Sequence, residues 1–208
     1  FRQVRRHAFL RGVTISGTAV GNDFGHPAGP LRDREIASVK EWIRKAAVLG
    51  APHIRVFAGV ARGQSAADAR KGCIAALEEC AELAGRHGIF LGVENHGGMV
   101  AEADDLIGIV RAVNSPWVGI NLDTGNFHTA DPYGDLEKCV PYAVNVQYKG
   151  YVQARGQARS GPADMARTVG ILKRAGYQGW VALEYEFPED AWTRVPVMLR
   201  ELRSALAG

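Results

Sequence analysis

Apolar and polar positions along the chain follow two alternating periods. Residues 12–20, GVTISGTAV, are apolar and β-branched and read as a strand. Residues 33–50, DREIASVKEWIRKAAVLG, carry the 3.6 period of a helix that stops at Gly50. The pattern then repeats. Strands are predicted over 53–59, 143–150 and 180–187, and a strand running into a loop over 89–98 and over 117–126. Helices are predicted over 65–88 (capped by Ser65), 101–114, 131–142, 162–177 and 190–208, the last imperfect around Pro196. Each strand is followed by a helix, so the sheet is expected to be parallel with helices outside it. The two architectures that fit are a doubly wound sheet and a (β/α)8 barrel. No G-x-G-x-x-G follows a strand and no G-x-x-x-x-G-K-[ST] is present, which removes the usual signature of a nucleotide-binding doubly wound fold. Residues 151–163, YVQARGQARSGPA, form the longest weakly patterned stretch and read as a mobile loop of the kind that makes a lid.

Four of the strands begin apolar and end polar. Alternation places Glu94 and His96 on one face, and likewise Asn121 with Asp123, Asn145 with Gln147 and Lys149, and Glu184 with Glu186. In a closed barrel that face is the interior, and the polar ends meet at the C-terminal mouth, where barrel enzymes keep their sites. Carboxylates gathered in a confined space need a cation. Glu94, Asp123 and Glu184, with the amide oxygen of Gln147, form an all-oxygen donor set suited to one divalent metal ion, Mn²⁺ or Mg²⁺, better than Zn²⁺. Strand parity does not decide between Glu184 and Glu186.

Composition narrows the classes. The chain has 208 residues, 47% hydrophobic and 23% charged, which is ordinary for a globular protein and long enough for one large core over 1–208. The net charge of +3 comes with no basic run, so no nucleic-acid footprint is expected. No apolar run has membrane-spanning length, and residues 1–11 carry four Arg rather than the core of a signal peptide. Three cysteines, Cys73, Cys80 and Cys139, argue against a disulfide framework and for a reducing cytoplasm. Cys73 and Cys80 share a helix face as small core residues. His7, His53 and His87 read as structural or exposed, and Trp42, Trp117, Trp180 and Trp192 as packing residues. Asn22 and His26 follow the first strand and can reach the mouth, unless they belong to a plain Gly/Pro turn.

The segments VENHGG (93–98), NLDTGNFHTADPY (121–133), NVQYKG (145–150) and VALEYE (181–186) together resemble the sugar phosphate isomerase/epimerase family. This is the xylose-isomerase-like TIM-barrel group with hydroxypyruvate isomerase, ketose 3-epimerases, inosose dehydratase and endonuclease IV-type enzymes. The resemblance covers residues 12–205. It implies metal ligands Glu94, Asp123, Gln147 and Glu184 on the last four strands, with Glu184 preferred to Glu186 as the first Glu of its pair. It also implies that Glu94 and Glu184 exchange a proton with a carbon beside a carbonyl, through a metal-stabilised enediolate. The third ligand, His in many members, is Gln147 here, as in the hydroxypyruvate isomerase branch. Several epimerases carry D-x-x-H where this chain has Asp123-Thr124-Gly125-Asn126. His96, Asn126, His128 and Lys149 remain the substrate-binding candidates.

A complete barrel has eight βα units in about 250 residues. Six are visible, so the first two are expected to be lacking, with residues 1–11 ending the second helix. The expected activity is a divalent-metal-dependent isomerase or epimerase of a small sugar, keto-sugar or hydroxy-keto acid. A polyol dehydratase of the inosose type is its neighbour, since the same proton abstraction can expel a hydroxyl. Outside that class stand a non-catalytic barrel fragment or binding module and a Schiff-base lyase built on Lys149. DNA repair is disfavoured by the scarcity of His at the mouth. The expected partner is a small carbohydrate or keto acid, with neither nucleic acid nor membrane, and a homo-oligomer is compatible with the family.

Overall fold

The computed structural model describes residues 1–208. In chain order the elements are α1 (Arg2–Leu10), β1 (Thr18–Ala19), α2 (Pro30–Leu49), β2 (His53–Val56), α3 (Ala66–His87), β3 (Phe90–Glu94), α4 (Ala103–Val113), β4 (Val118–Asp123), α5 (Pro132–Cys139), β5 (Ala143–Lys149), β6 (Tyr151–Val152), β7 (Gly161–Pro162), α6 (Met165–Arg174), β8 (Val181–Glu184) and α7 (Ala191–Ala207). Strands β1, β2, β3, β4, β5 and β8 form one six-stranded sheet in sequence order, parallel throughout. Right-handed βα crossovers stack in this order as the sheet curls, giving a half-barrel that matches part of a (β/α)8 barrel. Its edges are β1 and β8.

The local signals act as their chemistry dictates. Helix α2 starts on Pro30 and ends at Gly50, whose φ of 81° needs a residue without Cβ. Its buried residues Ile36, Val39, Ile43, Ala46 and Leu49 recur at helical spacing. Ser65 caps α3 by accepting from the Asp68 amide at 3.1 Å. The buried face of α3 is made mostly of small residues, Ala69, Gly72, Cys73, Ala76, Cys80, Ala81 and Ala84, beside Leu77 and Leu83. The three cysteines are buried and free.

One large core fills the space between sheet and helices. Val20, Ile54, Val56, Leu91, Val93, Ile120, Leu122 and Val146 point outward into it from the strands. A smaller cluster of Tyr148, Val169, Met198 and Leu202 seats α6 and α7.

Several expectations shift in detail. The strand predicted over 12–20 pairs only at Thr18 and Ala19, with one more bond from the Val20 amide to the Arg55 carbonyl, since the register sets residue 16 against Pro52, which has no amide to donate. The stretch 151–163 is not a plain loop, since Tyr151–Val152 and Gly161–Pro162 close an antiparallel hairpin. Trp192 does not pack, being 89% exposed, and Trp180 is 46% exposed. Phe90 packs on Trp117 with ring centroids 5.2 Å apart, and Trp42 lies against the main core. His53 sits on β2 rather than beside a helix end, and it is buried.

Candidate functional site

The inner face of the sheet is polar. Alternation puts His53, Arg55, Glu94, Asn121, Asp123, Asn145, Gln147, Lys149 and Glu184 on it, opposite the apolar residues of the same strands. Register aligns Glu94 with Asn121, Asp123 with Gln147 and Lys149 with Glu184 across neighbouring strands. The strand ends therefore deliver three carboxyl groups and a lysine to one place.

Glu94 is buried, and both its oxygens face nitrogen. Arg55 Nε lies 3.0 Å from Oε2, and Asn126 Nδ2 donates to Oε1 at 3.1 Å. The Arg55 guanidinium rests on the Phe57 ring, 3.9 Å from its centroid. Burial pushes the Glu94 carboxyl up to about 7, against the pull of Arg55 and with a further push from Glu184. Asp123 is fully buried. Its Oδ1 accepts from the Gly125 amide at 2.8 Å, and its Oδ2 lies 3.1 Å from Lys149 Nζ. Burial and the neighbouring Glu184 carboxyl nevertheless push it up, to about 8. Burial alone would lower the Lys149 amine, but Asp123, Glu186 and Glu184 hold it above its ordinary value, so it stays an ammonium.

The frame around these groups is rigid. Asn95 Nδ2 donates to the Asp123 carbonyl at 2.9 Å, and the Asp123 amide donates to Asn95 Oδ1 at 2.8 Å. That double bond locks the end of β4 to the end of β3. The Thr124 amide donates to the Gln147 carbonyl at 3.0 Å and the Lys149 amide to Thr124 Oγ1 at 2.9 Å, which locks β4 to β5. Gly125 is required here, because a Cβ would lie 2.6 Å from the Tyr151 carbonyl and 2.9 Å from Lys149 Cδ. Deeper in the half-barrel, Asn145 Nδ2 donates to Asn121 Oδ1 at 2.8 Å, and Asn121 Nδ2 in turn donates to Gln147 Oε1.

The structure brings Glu94, Asp123, Asn126, Lys149 and Glu184 into this one network, while the Gln147 side chain bonds deeper, to Asn121. Asn126 does not stand free. Its amide bridges Glu94 and Lys149, whose Nζ donates to Oδ1 at 3.1 Å. His96 is exposed at the mouth, 4.8 Å from the Phe57 ring centroid. Both line a cavity of about 160 Å³ together with Asn22, Asp23 and Glu94. His128 lies apart, exposed, with Nδ1 3.2 Å from the Gln153 carbonyl. Glu186 is nearer solvent than Glu184. It accepts from the Tyr151 hydroxyl at 2.6 Å and lies 3.1 Å from Lys149 Nζ; these contacts, the Tyr151 bond first, lower its carboxyl. A larger open groove of about 640 Å³ between α1 and the end of α2 is lined by arginines and apolar residues, with no carboxylate.

Two residues of the network are absent from the strand-end reading. Arg55 stands on β2 between the buried apolar Ile54 and Val56, and a charge on the inner parity of a buried strand is the signal for it. Asn95 has the opposite parity to Glu94 and acts through the backbone of the next strand, which no period reveals.

A divalent metal can be tested against these residues. Glu94 Oε2, Asp123 Oδ2 and Glu184 Oε2 are buried oxygens held by ion-pair contacts with Arg55 or Lys149 and by no aligned hydrogen bond. Four carboxyl groups, Glu94, Asp123, Glu184 and Glu186, face two cations, Arg55 and Lys149. Fully ionised, the cluster carries a surplus of two negative charges. Donor chemistry and charge fit a hard dication. No three His, Cys, Asp or Glu side chains are gathered closely enough to grasp an ion as they stand.

The chain matches the xylose isomerase-like TIM-barrel family model over residues 1–202. No curated protein sequence matches it. Among solved structures, it superposes on 3-keto-D-glucoside 4-epimerase from E. coli with a TM-score of 0.83 at 19% identity, covering 97% of this chain and 83% of that one. A D-tagatose 3-epimerase-like protein gives a TM-score of 0.84 at 20% identity over 99% and 83% of the two chains. A xylose isomerase-like TIM-barrel protein from Mycobacterium smegmatis, in complex with magnesium, gives 0.76 at 20% identity over 97% and 77%. These likenesses concern the fold, and the family match spans nearly the whole sequence. This chain is a member of the xylose isomerase-like TIM-barrel family.

Proposed function

We propose that this protein is an isomerase or epimerase of a small sugar, keto-sugar or hydroxy-keto acid. One observation carries the reading. Carboxyl groups from β3, β4 and β8 converge at the C-terminal ends of the strands, and each has a buried oxygen held only by an ion-pair contact with Arg55 or Lys149. The epimerases of similar fold and the magnesium bound by one of the related structures support it.

Glu94 and Glu184 are the proposed acid/base pair. Strands β3 and β8 are separated by β4 and β5 in the sheet, so the two carboxyls approach a bound substrate from different sides. In the metal-free chain burial raises the Glu94 carboxyl to about 7, so the fold itself favours a proton on it. It borders the small cavity, where His96 offers a polar contact to a hydroxylated ligand, the Asn22 amide being tied to the Phe57 backbone. Arg55 and Asn126 fix the direction of the Glu94 oxygens. Asn95 and Gly125 hold Asp123 in place. Glu94, Asp123, Gln147 and Glu184 would hold the metal ion. Such an ion, when bound, offsets the surplus charge and draws electron density from the substrate carbonyl, which acidifies the neighbouring C–H.

The experiment is a turnover screen with ketoses and hydroxypyruvate, with and without added Mn²⁺, for the native chain beside Glu184→Gln. Conversion of one substrate class by the native chain, lost in Glu184→Gln, is the expected result. A folded, Mn²⁺-loaded chain that converts none of these substrates contradicts the proposal.

A further inference from the structure

The carboxyl groups of the site converge on a positive charge that belongs to the chain itself. Lys149 Nζ lies 3.1 Å from Asp123 Oδ2, 3.2 Å from Glu184 Oε2 and 3.1 Å from Glu186 Oε2. Its side chain is only 5% exposed. The stem is fixed as well, since the Lys149 amide is bonded to Thr124 and the side chain runs over Gly125, where a Cβ would lie 2.9 Å from Cδ. The ammonium thus contacts Asp123 and Glu184, two of the four proposed metal ligands.

We propose that Lys149 is the resident cation of the metal-free site, and that a divalent ion enters by displacing its ammonium from Asp123 and Glu184. The inference rests on the reading of this cluster as a divalent-cation site. An oxygen lone pair that meets the ammonium is not free for a metal. A dication and an ammonium sharing the same carboxylates also repel each other strongly in a buried setting. The displaced ammonium has a place to go. Glu186 is half exposed, is oriented by the Tyr151 hydroxyl and already touches Lys149. The Tyr151 ring centroid is 5.7 Å from Nζ, so a cation–π contact accompanies that carboxylate. Lys149 and Glu186 therefore form an exchangeable pair beside the metal ligands. The same exchange explains why three carboxyls meet at one point without being drawn together into a ligating group.

The test is Mn²⁺ affinity of the intact chain by calorimetric titration, native protein beside Lys149→Met, with thermal melting of each in EDTA and in saturating Mn²⁺. Lys149→Met is expected to bind Mn²⁺ about tenfold more tightly or better, because the competing cation is gone. Its metal-free form should melt below the native chain, and saturating Mn²⁺ should remove that deficit. Equal or weaker Mn²⁺ binding by folded Lys149→Met overturns the proposal, as does a native chain and variant that bind no Mn²⁺ at all. Should Lys149→Met not fold without metal, amine labelling of the native chain gives the answer by mass spectrometry. The labelling rate of Lys149 should rise several-fold when Mn²⁺ is added, and an unchanged or slower rate overturns the exchange. Neither readout depends on turnover. Tighter Mn²⁺ binding without conversion of any ketose would uphold the exchange and refute the isomerase reading. Conversion without any Mn²⁺ binding would do the reverse.

Discussion

The two faces of the sheet are made by alternate residues of the same strands, and they differ in almost everything else. Outward, Ile54, Val56, Leu91, Val93, Ile120, Leu122 and Val146 are buried against helices in a continuous apolar core. Inward, at the neighbouring positions, stand Arg55, Glu94, Asn121, Asp123, Asn145, Gln147 and Lys149. The outer face supplies the hydrophobic stabilisation. The inner face spends some of it, because each buried carboxyl loses water that Arg55 and Lys149 only partly replace. Alternation links the two. A strand that cannot shift on its outer side holds its inner side chains in register, as a site of converging charges requires.

The largest effect is expected from the inner face. Glu94→Gln keeps the shape and the Asn126 contact but removes the exchangeable proton and turns an amide nitrogen toward Arg55. Turnover should fall by about 10²–10⁴, the usual worth of a positioned acid or base, while urea unfolding shows a loss of about 1–3 kcal/mol for the unpaired Arg55. A variant of full activity would remove Glu94 from the chemistry.

The outer face should behave in the opposite way. Leu91→Ala opens a cavity in a fully buried site and should cost about 2–5 kcal/mol in urea unfolding. The activity of the fraction that remains folded should be close to native. A small stability cost with a large loss of activity would mean that the two faces do not divide the work in this way.

The smallest effect is in pH dependence, and it sharpens the comparison. Glu94 and Asp123 are raised to about 7 and about 8, so between the ordinary carboxylate range and those values the folded chain holds protons that the unfolded chain has lost. Stability must then fall as pH rises through that window. His53 is lowered to about 4 by burial, with Arg55 adding to it, and acts in the other sense below its ordinary 6.5. Above 6.5 the His53 effect fades and the carboxyls dominate. The metal-free protein should therefore melt lower at pH 8 than at pH 6.5, and Asp123→Asn should flatten the difference. A melting temperature that rises over that interval contradicts the inner-face electrostatics.

Much of this was legible in the sequence, for reasons that follow from the same alternation. The βα order and the strand ends at Glu94, Asp123, Gln147 and Glu184 are written in periods of two and 3.6 residues, and both are local. The family resemblance carried by those strand ends agrees with the match over residues 1–202. What was not legible depends on neighbours distant in sequence. Thr18 and Ala19 alone pair in β1, because pairing depends on what lies beside an edge. Asn95 acts on the backbone of the adjacent strand. Lys149 reads from its strand as a substrate contact, and only the arrival of β8 shows that its partners are Glu184 and Glu186. The hairpin of β6 and β7 has no apolar period, and Tyr151 is tied into the site through Glu186. The length and low hydrophobic content of that stretch suggest a loop, whereas its pairing is a matter of the backbone.

The most direct test of the central claim is hydrogen exchange at carbon. The Mn²⁺-loaded chain would be incubated in D₂O with ketoses and with hydroxypyruvate, and deuterium at the carbon beside the carbonyl followed by NMR, for the native protein and for Glu94→Gln and Glu184→Gln. The account predicts wash-in of deuterium for one substrate class by the native chain, and its loss in both variants. A folded native chain that leaves every substrate unlabelled, or wash-in that survives both substitutions, would contradict it.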